Sequence, residues 1–421
     1  MTRTISIPTD VAQGPRAAIP TRGPLRIAVV TPELHRHGGT ERGNAEVVAR
    51  LVREHRVCLF AHYWEPDGTP NLCFHRVPVL PWPGLVRFLS FFAAASLQVD
   101  RAARRHGGFD AIYSPGPNCR QVQVSSAWFC QARQLELFRS GRHRPRPETW
   151  KDWLKLAHRW FYAATVAKVE RMFYSSPRLQ KVVTQSHLLA RDLTHFYGLP
   201  AERTIVAHGG VNAEHFDPRA RLALRDAARR ELSLAEDEFC FLFIGNNWLI
   251  KGLYHVLRAL AELDAGQLLI VGADVEQPDS WRRFAAELGV ASRIRFLPRR
   301  PDVLFYYAAA DVLVAPSVYD TFPLMPLEAM ACGLPTIISR ATGVAEIAGP
   351  DDALVVAHPD DTAELAAAMR RAMLDAALRA HLVDNGLRLA NSSSWDGIYS
   401  AIAAELVAAA ERNVAARHLA S

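Results

Sequence analysis

The run Asp320-Thr-Phe-Pro-Leu-Met-Pro-Leu-Glu328 sets two carboxylates eight positions apart, directly after an apolar stretch, Asp311–Ser317, that reads as a buried strand. Pro326 near the start, with Gly333 and Pro335 at the end, brackets a helix. Proline costs nothing where an N–H has no intrahelical partner, and glycine favours the stop. A strand, an acid-bearing loop and an open helix N-terminus make the crevice where α/β sheets bind ligands. The unpaired N–H groups and the helix dipole there attract an anion. Two acids flanking such a start can hold the hydroxyls of polyols such as a sugar and a ribose. The plainer reading makes Asp320 an N-cap and Glu328 a solvated helix residue.

Two other segments carry candidate chemistry. In Thr31–Arg42, the pair Gly38-Gly39 at a helix start lets backbone approach a phosphate or a sugar closely. An ordinary turn explains a bare glycine pair equally well. In Ile244-Gly-Asn-Asn-Trp-Leu-Ile-Lys-Gly252, Lys251 can offer an ammonium to a leaving diphosphate, or simply be a surface lysine. The dinucleotide fingerprint G-x-G-x-x-G and the P-loop pattern are both absent, which argues against a dinucleotide enzyme or an NTPase.

The elements that must position these residues read as two series. Short apolar runs at Leu25–Val30, Val57–Ala61, Ala111–Ser114, Val122–Ser125, Lys181–Thr184 and Thr204–Ala207 form the first, mostly separated by helical lengths. Phe239–Gly245, Gln267–Val271, Ile294–Leu297, Val312–Pro316, Thr336–Ile338 and Ala353–Val356 form the second. Alternating strand and helix predicts parallel sheets, hence two α/β domains in tandem with the glycine-rich Ala207–Asn212 as hinge. Trp395, Ile398, Ile402 and Leu406 share one face of a final helix, with Ser392–Ser394 offering N-cap hydroxyls.

The chain has 421 residues, 49% hydrophobic and 22% charged, a globular composition of two or three domains. Residues 1–210 hold 29 basic and 15 acidic side chains, and the remainder 20 and 28. The basic half therefore faces something anionic. Pro81–Phe92 and Arg139–Arg171 add tryptophans and phenylalanines to that charge, a combination suited to the bilayer boundary or to packing on the domain's own sheet. Nucleic acid fits less well, because the cations interleave with apolar helix positions and no recognition motif is present. The six cysteines show no C-x-x-C pair, which speaks against a disulfide framework or a zinc site and for a reducing compartment. Residues 1–24 read as a loose leader without the apolar core of a signal peptide. No apolar run reaches the ~18 residues of a spanning helix.

In order and spacing, the three motifs resemble the family 4 glycosyltransferases, retaining enzymes of the GT-B fold, over about Leu25 to Ala410. The family's E-x7-E pattern appears as Asp320-x7-Glu328, extended by Ala308–Asp311 before it and Gly343 and Glu346 after it. Gly38-Gly39, Lys251-Gly252, and Gly210-Val-Asn212 with Phe216 support the match. The Gly-Gly start followed by Arg42 looks most like the lipopolysaccharide-core glucosyltransferase branch. The resemblance implies two Rossmann-like, doubly wound parallel-sheet domains facing across a cleft. Residues 25–210 would form the acceptor side, 211–394 the nucleotide-sugar side, and helix 395–413 would return to the first domain.

By the same analogy Glu328 would hold the ribose and Asp320 the transferred sugar. Backbone N–H groups of Phe322, Leu324 and Met325 would meet sugar and phosphate, and Lys251, Gly38, Gly39, Arg42, Asn246 and Arg299 would complete the donor site. Asn246 stands where the family often has Arg, and Ile250 where the lipopolysaccharide branch has one. Arg42 or another basic residue must then supply the missing cation. Asn118 falls near the family's acceptor-side His or Asp and cannot act as a base. With no D-x-D, no metal or other cofactor is expected. The implied partners are a nucleotide-sugar donor and a glycan, glycolipid or small-molecule acceptor, with an anionic membrane surface as a further candidate. The implied setting is the cytoplasm or the inner membrane face. A same-fold epimerase or phosphorylase, and a non-catalytic binding subunit, are the competing readings.

Overall fold

The computed structural model describes residues 23–36, 38–66, 72–140, 150–272 and 279–420. Nearly all of the leader, and residues 141–149 of the basic segment, lie outside them. The first half runs β1 (Arg26–Val30), β2 (Glu33–Leu34), α1 (Gly39–Glu54), β3 (Arg56–Ala61), β4 (Tyr63–Trp64), β5 (Leu72–Arg76), α2 (Gly84–His106), β6 (Ala111–Pro115), β7 (Val124–Ala127), α3 (Gln131–Ser140), α4 (Trp150–Tyr174), β8 (Lys181–Thr184), α5 (His187–Tyr197) and β9 (Thr204–Val206). Seven of these strands form one parallel sheet in the order β5-β3-β1-β6-β7-β8-β9.

The second half runs α6 (Pro218–Glu231), β10 (Cys240–Ile244), α7 (Trp248–Lys251), α8 (Leu253–Ala261), β11 (Gln267–Val271), α9 (Asp279–Glu287), β12 (Ile294–Leu297), α10 (Leu304–Ala309), β13 (Val312–Ala315), α11 (Leu324–Ala331), β14 (Thr336–Ser339), β15 (Leu354–Val356), α12 (Thr362–Leu374), α13 (Ala376–Ser392) and α14 (Asp396–Ala420). Its parallel sheet has the order β12-β11-β10-β13-β14-β15.

Both sheets are covered on both faces, which is why their strands read as unbroken apolar runs. In β1, Ile27 and Val29 enter one core while Ala28 and Val30 enter another, as the two-residue period of a strand requires. β10 repeats the pattern, with Leu242 on one side and Phe241 and Phe243 on the other. Strand order reverses between β1 and β6 and again between β10 and β13. At such switch points the loops beyond the strand ends part and leave a crevice.

Two differences from the sequence expectations stand out. β5 was not anticipated: Leu-Cys-Phe-His-Arg is half exposed at the sheet edge and lacks the β-branched run that marks a buried strand. Its pairing with β3 sets Cys73 opposite Cys58, and these two sulfurs gather with His75. Cysteines that looked scattered are thus neighbours, although all six are free.

The halves are joined twice. Val211 donates to the Ser393 carbonyl at 3.1 Å, and Gly210 lies so close to the Ser394–Trp395 backbone that a Cβ would collide with it. From there α14, with Asp396 N–H capped by Ser394 Oγ at 3.2 Å, packs Ile398, Ile402 and Leu406 into the core beside α1, β6, β7 and β8.

Candidate active site

The loops at the two switch points face each other. Gly39 at the start of α1 looks across at Leu324 at the start of α11, near enough that a Cβ on Gly39 would touch Leu324 Cδ1 at 3.7 Å. Between them lies a cavity of about 670 Å³. Gly38, Gly39 and Arg42 line its first-half wall. Asn246, Lys251, Arg299, Asp320, Phe322, Leu324, Met325 and Glu328 line the second. Every donor-side residue singled out in the sequence therefore opens on one space. Asn118 does not. It lines a second cavity of about 370 Å³ in the first half, where its amide nitrogen ties down the loop after β6 by donating to Ser114 Oγ and the Pro115 carbonyl, both at 3.0 Å.

The two acids are held differently. Asp320 is not a helix cap, since Pro323 occupies that position and leaves the first N–H groups of α11 without a side-chain partner. Instead its carboxylate accepts from Lys251 Nζ, and its backbone is pinned by the Ala341–Gly343 segment. Lys251 ends the short helix α7, where Gly252 at φ +87° turns the chain. Its aliphatic stem lies against Gly245, where a Cβ would block it.

Glu328 is buried in α11 rather than solvated. One oxygen accepts from Arg42 of the opposite half, and the other accepts from the Tyr307 hydroxyl at 2.9 Å. Burial and the Glu328 charge hold the Tyr307 phenol well above its ordinary pKa, so it stays a donor. Arg42, with its guanidinium carbon 5.8 Å from the centroid of the Phe216 ring, lines the cavity together with Lys251, Arg299 and Arg300. A carboxylate has about four acceptor directions, so Glu328 keeps capacity for further hydrogen bonds.

Other contacts clasp the halves. Thr321 Oγ1 donates to the Trp128 carbonyl. Glu346 accepts from the backbone N–H groups of His187 and Leu188 at 2.8 and 2.7 Å, and pairs with His208 Nε2 at 3.2 Å. It thereby places a negative charge at the N-terminus of α5, where the dipole favours it. Burial raises the Glu346 pKa, but His208 and the two N–H groups outweigh that and leave it below the usual value.

Sequence reasoning missed Tyr307, Trp128 and Gln185. Tyr307 sits in an apolar helix with no motif around it. Trp128 and Gln185 line the larger cavity nearly fully buried, and their side-chain nitrogens have no partner. Only their position just after β7 and β8, on the cleft side of a parallel sheet, could have flagged them.

Residues 37–215 match the family described as Glycosyltransferase Family 4, and residues 225–388 match Glycosyl transferases group 1, together well over half of the chain. A D-inositol 3-phosphate glycosyltransferase of Geodermatophilus obscurus is 29% identical over 362 residues, which cover 78% of this chain and 77% of that protein. The crystal structure of WaaG, a glycosyltransferase involved in lipopolysaccharide biosynthesis, aligns with a TM-score of 0.71 at 21% identity, covering 90% of this chain and 99% of WaaG. Anabaena Alr3699/HepE in complex with UDP-glucose aligns with a TM-score of 0.67 at 17% identity, covering 91% of this chain and 100% of its own. The architecture is that of the GT-B class, two parallel-sheet α/β domains facing across a cleft. The chain belongs to the family 4 glycosyltransferases and is an enzyme.

Proposed function

We propose that the chain moves a hexosyl group from a nucleotide-diphosphate sugar to an acceptor hydroxyl, with retention at the anomeric carbon and without a metal. The carrying observation is that the pairs Lys251–Asp320 and Arg42–Glu328 border one cavity at the N-terminus of α11, with the buried Tyr307 hydroxyl bracing Glu328 from behind. Transfer places cationic character on the sugar and negative charge on the departing diphosphate. Lys251 and the Leu324 and Met325 N–H groups face the second, and Asp320 the first. Donors fixed in advance in this way carry much of the rate, about 2.7–4 kcal/mol for one of them in the protease case where it is measured. Complexes of HepE with UDP-glucose and of starch synthase IV with ADP support a nucleotide-linked donor.

The test is a screen of UDP-, GDP- and ADP-sugars in excess chelator. Glu328→Ala and Lys251→Ala are expected to lower transfer by about 10²–10³ while the circular dichroism spectrum is kept. Undiminished rates in both, or a requirement for metal, defeat the reading. Nucleotide release only when an acceptor is present separates transfer from epimerisation.

Cell-surface glycan or glycolipid assembly at the inner membrane face is the process this reading favours. Among the described residues no helix is long and apolar enough to cross a membrane. However, Trp82, Trp150, Trp153, Trp160 and Phe161 stand exposed before α2 and on α4 of the basic half, Trp82 by 83%. Such rings suit a bilayer boundary better than water. Flotation with phosphatidylglycerol vesicles at low salt, lost in Trp160→Ser with Phe161→Ser, is the expected outcome. Failure of the wild type to float counts against it.

A further inference from the structure

The pairing of β5 with β3 sets Cys73 beside Cys58 and His75 beside Phe60. Side chains two positions apart on a strand share a face, so Cys58, Cys73 and His75 stand on one side of the sheet. Their donor atoms, two sulfurs and an imidazole nitrogen, all lie within 4.8 Å of one another. Cys73 Sγ is 3.4 Å from His75 Nε2. The His75 ring is stacked on Phe60, with centroids 4.6 Å apart and planes at 11°, so packing holds its orientation.

Cysteine is among the most buried of residue types, and Cys119, Cys130, Cys240 and Cys332 are buried here. Cys73 is exposed, and Cys58 and His75 are half-buried. The group opens on solvent at the outer edge of the sheet, where a cation can enter and water can complete its coordination. None of the three residues lines either cavity of the cleft, and β3 and β1 separate β5 from the switch point.

The spacing suits a metal better than a disulfide. A disulfide wants its Cβ atoms ~3.5–4.5 Å apart, whereas paired strands run ~4.7–4.9 Å apart. A tetrahedral zinc, with ~2.3 Å to sulfur and ~2.0–2.1 Å to nitrogen, sets those two ligand atoms ~3.6 Å apart, close to the 3.4 Å of the Cys73–His75 contact. A thiol–imidazole hydrogen bond accounts for that contact alone, but not for a second sulfur at the same point. Thiolate with imidazole is a donor set for zinc, not for magnesium or calcium. Burial and the adjacent Cys73 push the Cys58 thiol up to about 11, with Arg26 of β1 offsetting part. A metal displaces such protons as it binds. The two thiolates then cancel its charge, so Arg26 meets a neutral complex.

We propose that Cys58, Cys73 and His75 form a three-ligand site for a borderline-soft divalent cation, Zn²⁺ by its donor set, which fastens the edge strand β5 to β3. Two sulfur–zinc bonds and one nitrogen–zinc bond form, two thiol protons pass to solvent, and water takes the fourth position. No carboxylate joins the group among the described residues, which assigns the metal to holding the strand and not to chemistry. β5 pairs with one neighbour only and is half exposed. A tie across the two strands therefore strengthens a segment that opens easily on its own. The transfer reading needs no metal, and the two proposals stand or fall separately.

The test uses the full chain, reduced and freed of metal, titrated with Co²⁺ as a spectroscopic stand-in and with Zn²⁺ as competitor. One equivalent of Co²⁺ is expected to give sulfur-to-cobalt charge-transfer absorption together with the intense visible bands of tetrahedral cobalt. Zn²⁺ should erase both, and excess Mg²⁺ neither. Cys73→Ser and His75→Ala should each keep the circular dichroism spectrum and weaken Co²⁺ binding by about a hundredfold or more, since even an outer-shell partner of a metal is worth up to that much. Zn²⁺ should slow amide exchange across Leu72–Arg76 in the wild type and not in Cys73→Ser, a change that binding to histidines elsewhere would not produce. Cobalt bands without the sulfur absorption, or sulfur absorption that survives both substitutions, overturn the proposal. So does Zn²⁺ binding that leaves exchange in β5 unaltered. A chain that takes up no metal but forms a Cys58–Cys73 disulfide with oxidised glutathione overturns it in favour of a redox pair.

Discussion

The two cavities of the cleft are built by opposite means. Around the larger one, main chain presses on main chain. A Cβ on Gly252 would strike the Pro316 carbonyl, one on Gly272 the Gly245 carbonyl, and one on Gly343 the Thr321 carbonyl. Around the smaller one, side chains from α1, α2 and α4 do the enclosing. Charges divide less cleanly. Asp320 and Glu328 at the larger cavity and Glu33 at the smaller one each face a cation, whereas the buried Glu170 by the smaller one accepts from neutral donors, Tyr197 and the Gln131 N–H. The larger cavity thus fixes its groups through backbone that tolerates little change. The smaller one is shaped by side chains that can be exchanged singly.

The sharpest break of this contrast is Gly343→Ala. One methyl there should push Thr321 and Asp320 out of place and lower transfer by about a hundredfold or more, the scale expected for an ångström of misplacement. Steady-state rates with saturating acceptor measure it, and a near-normal rate would show that the backbone packing is not what holds Asp320.

Glu170 tests the charge difference. Burial lifts its pKa from 4.5 to about 7, with the Tyr197 and Gln131 bonds offsetting only part. Between those values the folded chain holds a proton that the unfolded chain has released, so stability falls as pH rises through that window and then levels. The fall amounts to at most about 3 kcal/mol. Glu170→Gln should flatten it in a series of melts from acid to weakly alkaline pH.

At the boundary of the two regions, Gly43 carries the Trp128 indole so closely that a Cβ would overlap the ring. Gly43→Ala is expected to cost about 1–3 kcal/mol and to raise the acceptor KM more than the donor KM.

The smallest effect belongs to the clasp. Glu346→Gln should cost about 1 kcal/mol near neutral pH. Because the Glu346 pKa is lowered, its contribution is complete above the ordinary carboxylate range and vanishes as pH falls through the lowered value, opposite in sign to Glu170. Wild-type and variant melting temperatures that stay apart in acid would contradict this.

The lining of the larger cavity was largely readable in the sequence. Gly38-Gly39, Lys251-Gly252 and Asp320-x7-Glu328 are local patterns on either side of strands, and a parallel sheet brings such strand ends together whatever the details. Pairing partners were not readable. Nothing local tells that Arg42 reaches Glu328 across 286 positions, or that Tyr307 donates to it. The smaller cavity was opaque for the same reason: no local pattern marks Asn44, Trp128 and Val166, and only packing brings them to one space. β5 escaped because an edge strand needs no continuous apolar run.

Lys251 with Asp320, and Arg42 with Glu328, are cations that already hold their own counter-ions. On the proposed reaction, a diphosphate entering the cleft would trade places with a carboxylate instead of being drawn in by bare positive charge. Such an exchange leaves the net electrostatic gain small. Donor affinity should consequently respond weakly to ionic strength, and recognition should fall to shape and hydroxyl pattern more than to the charge every nucleotide shares.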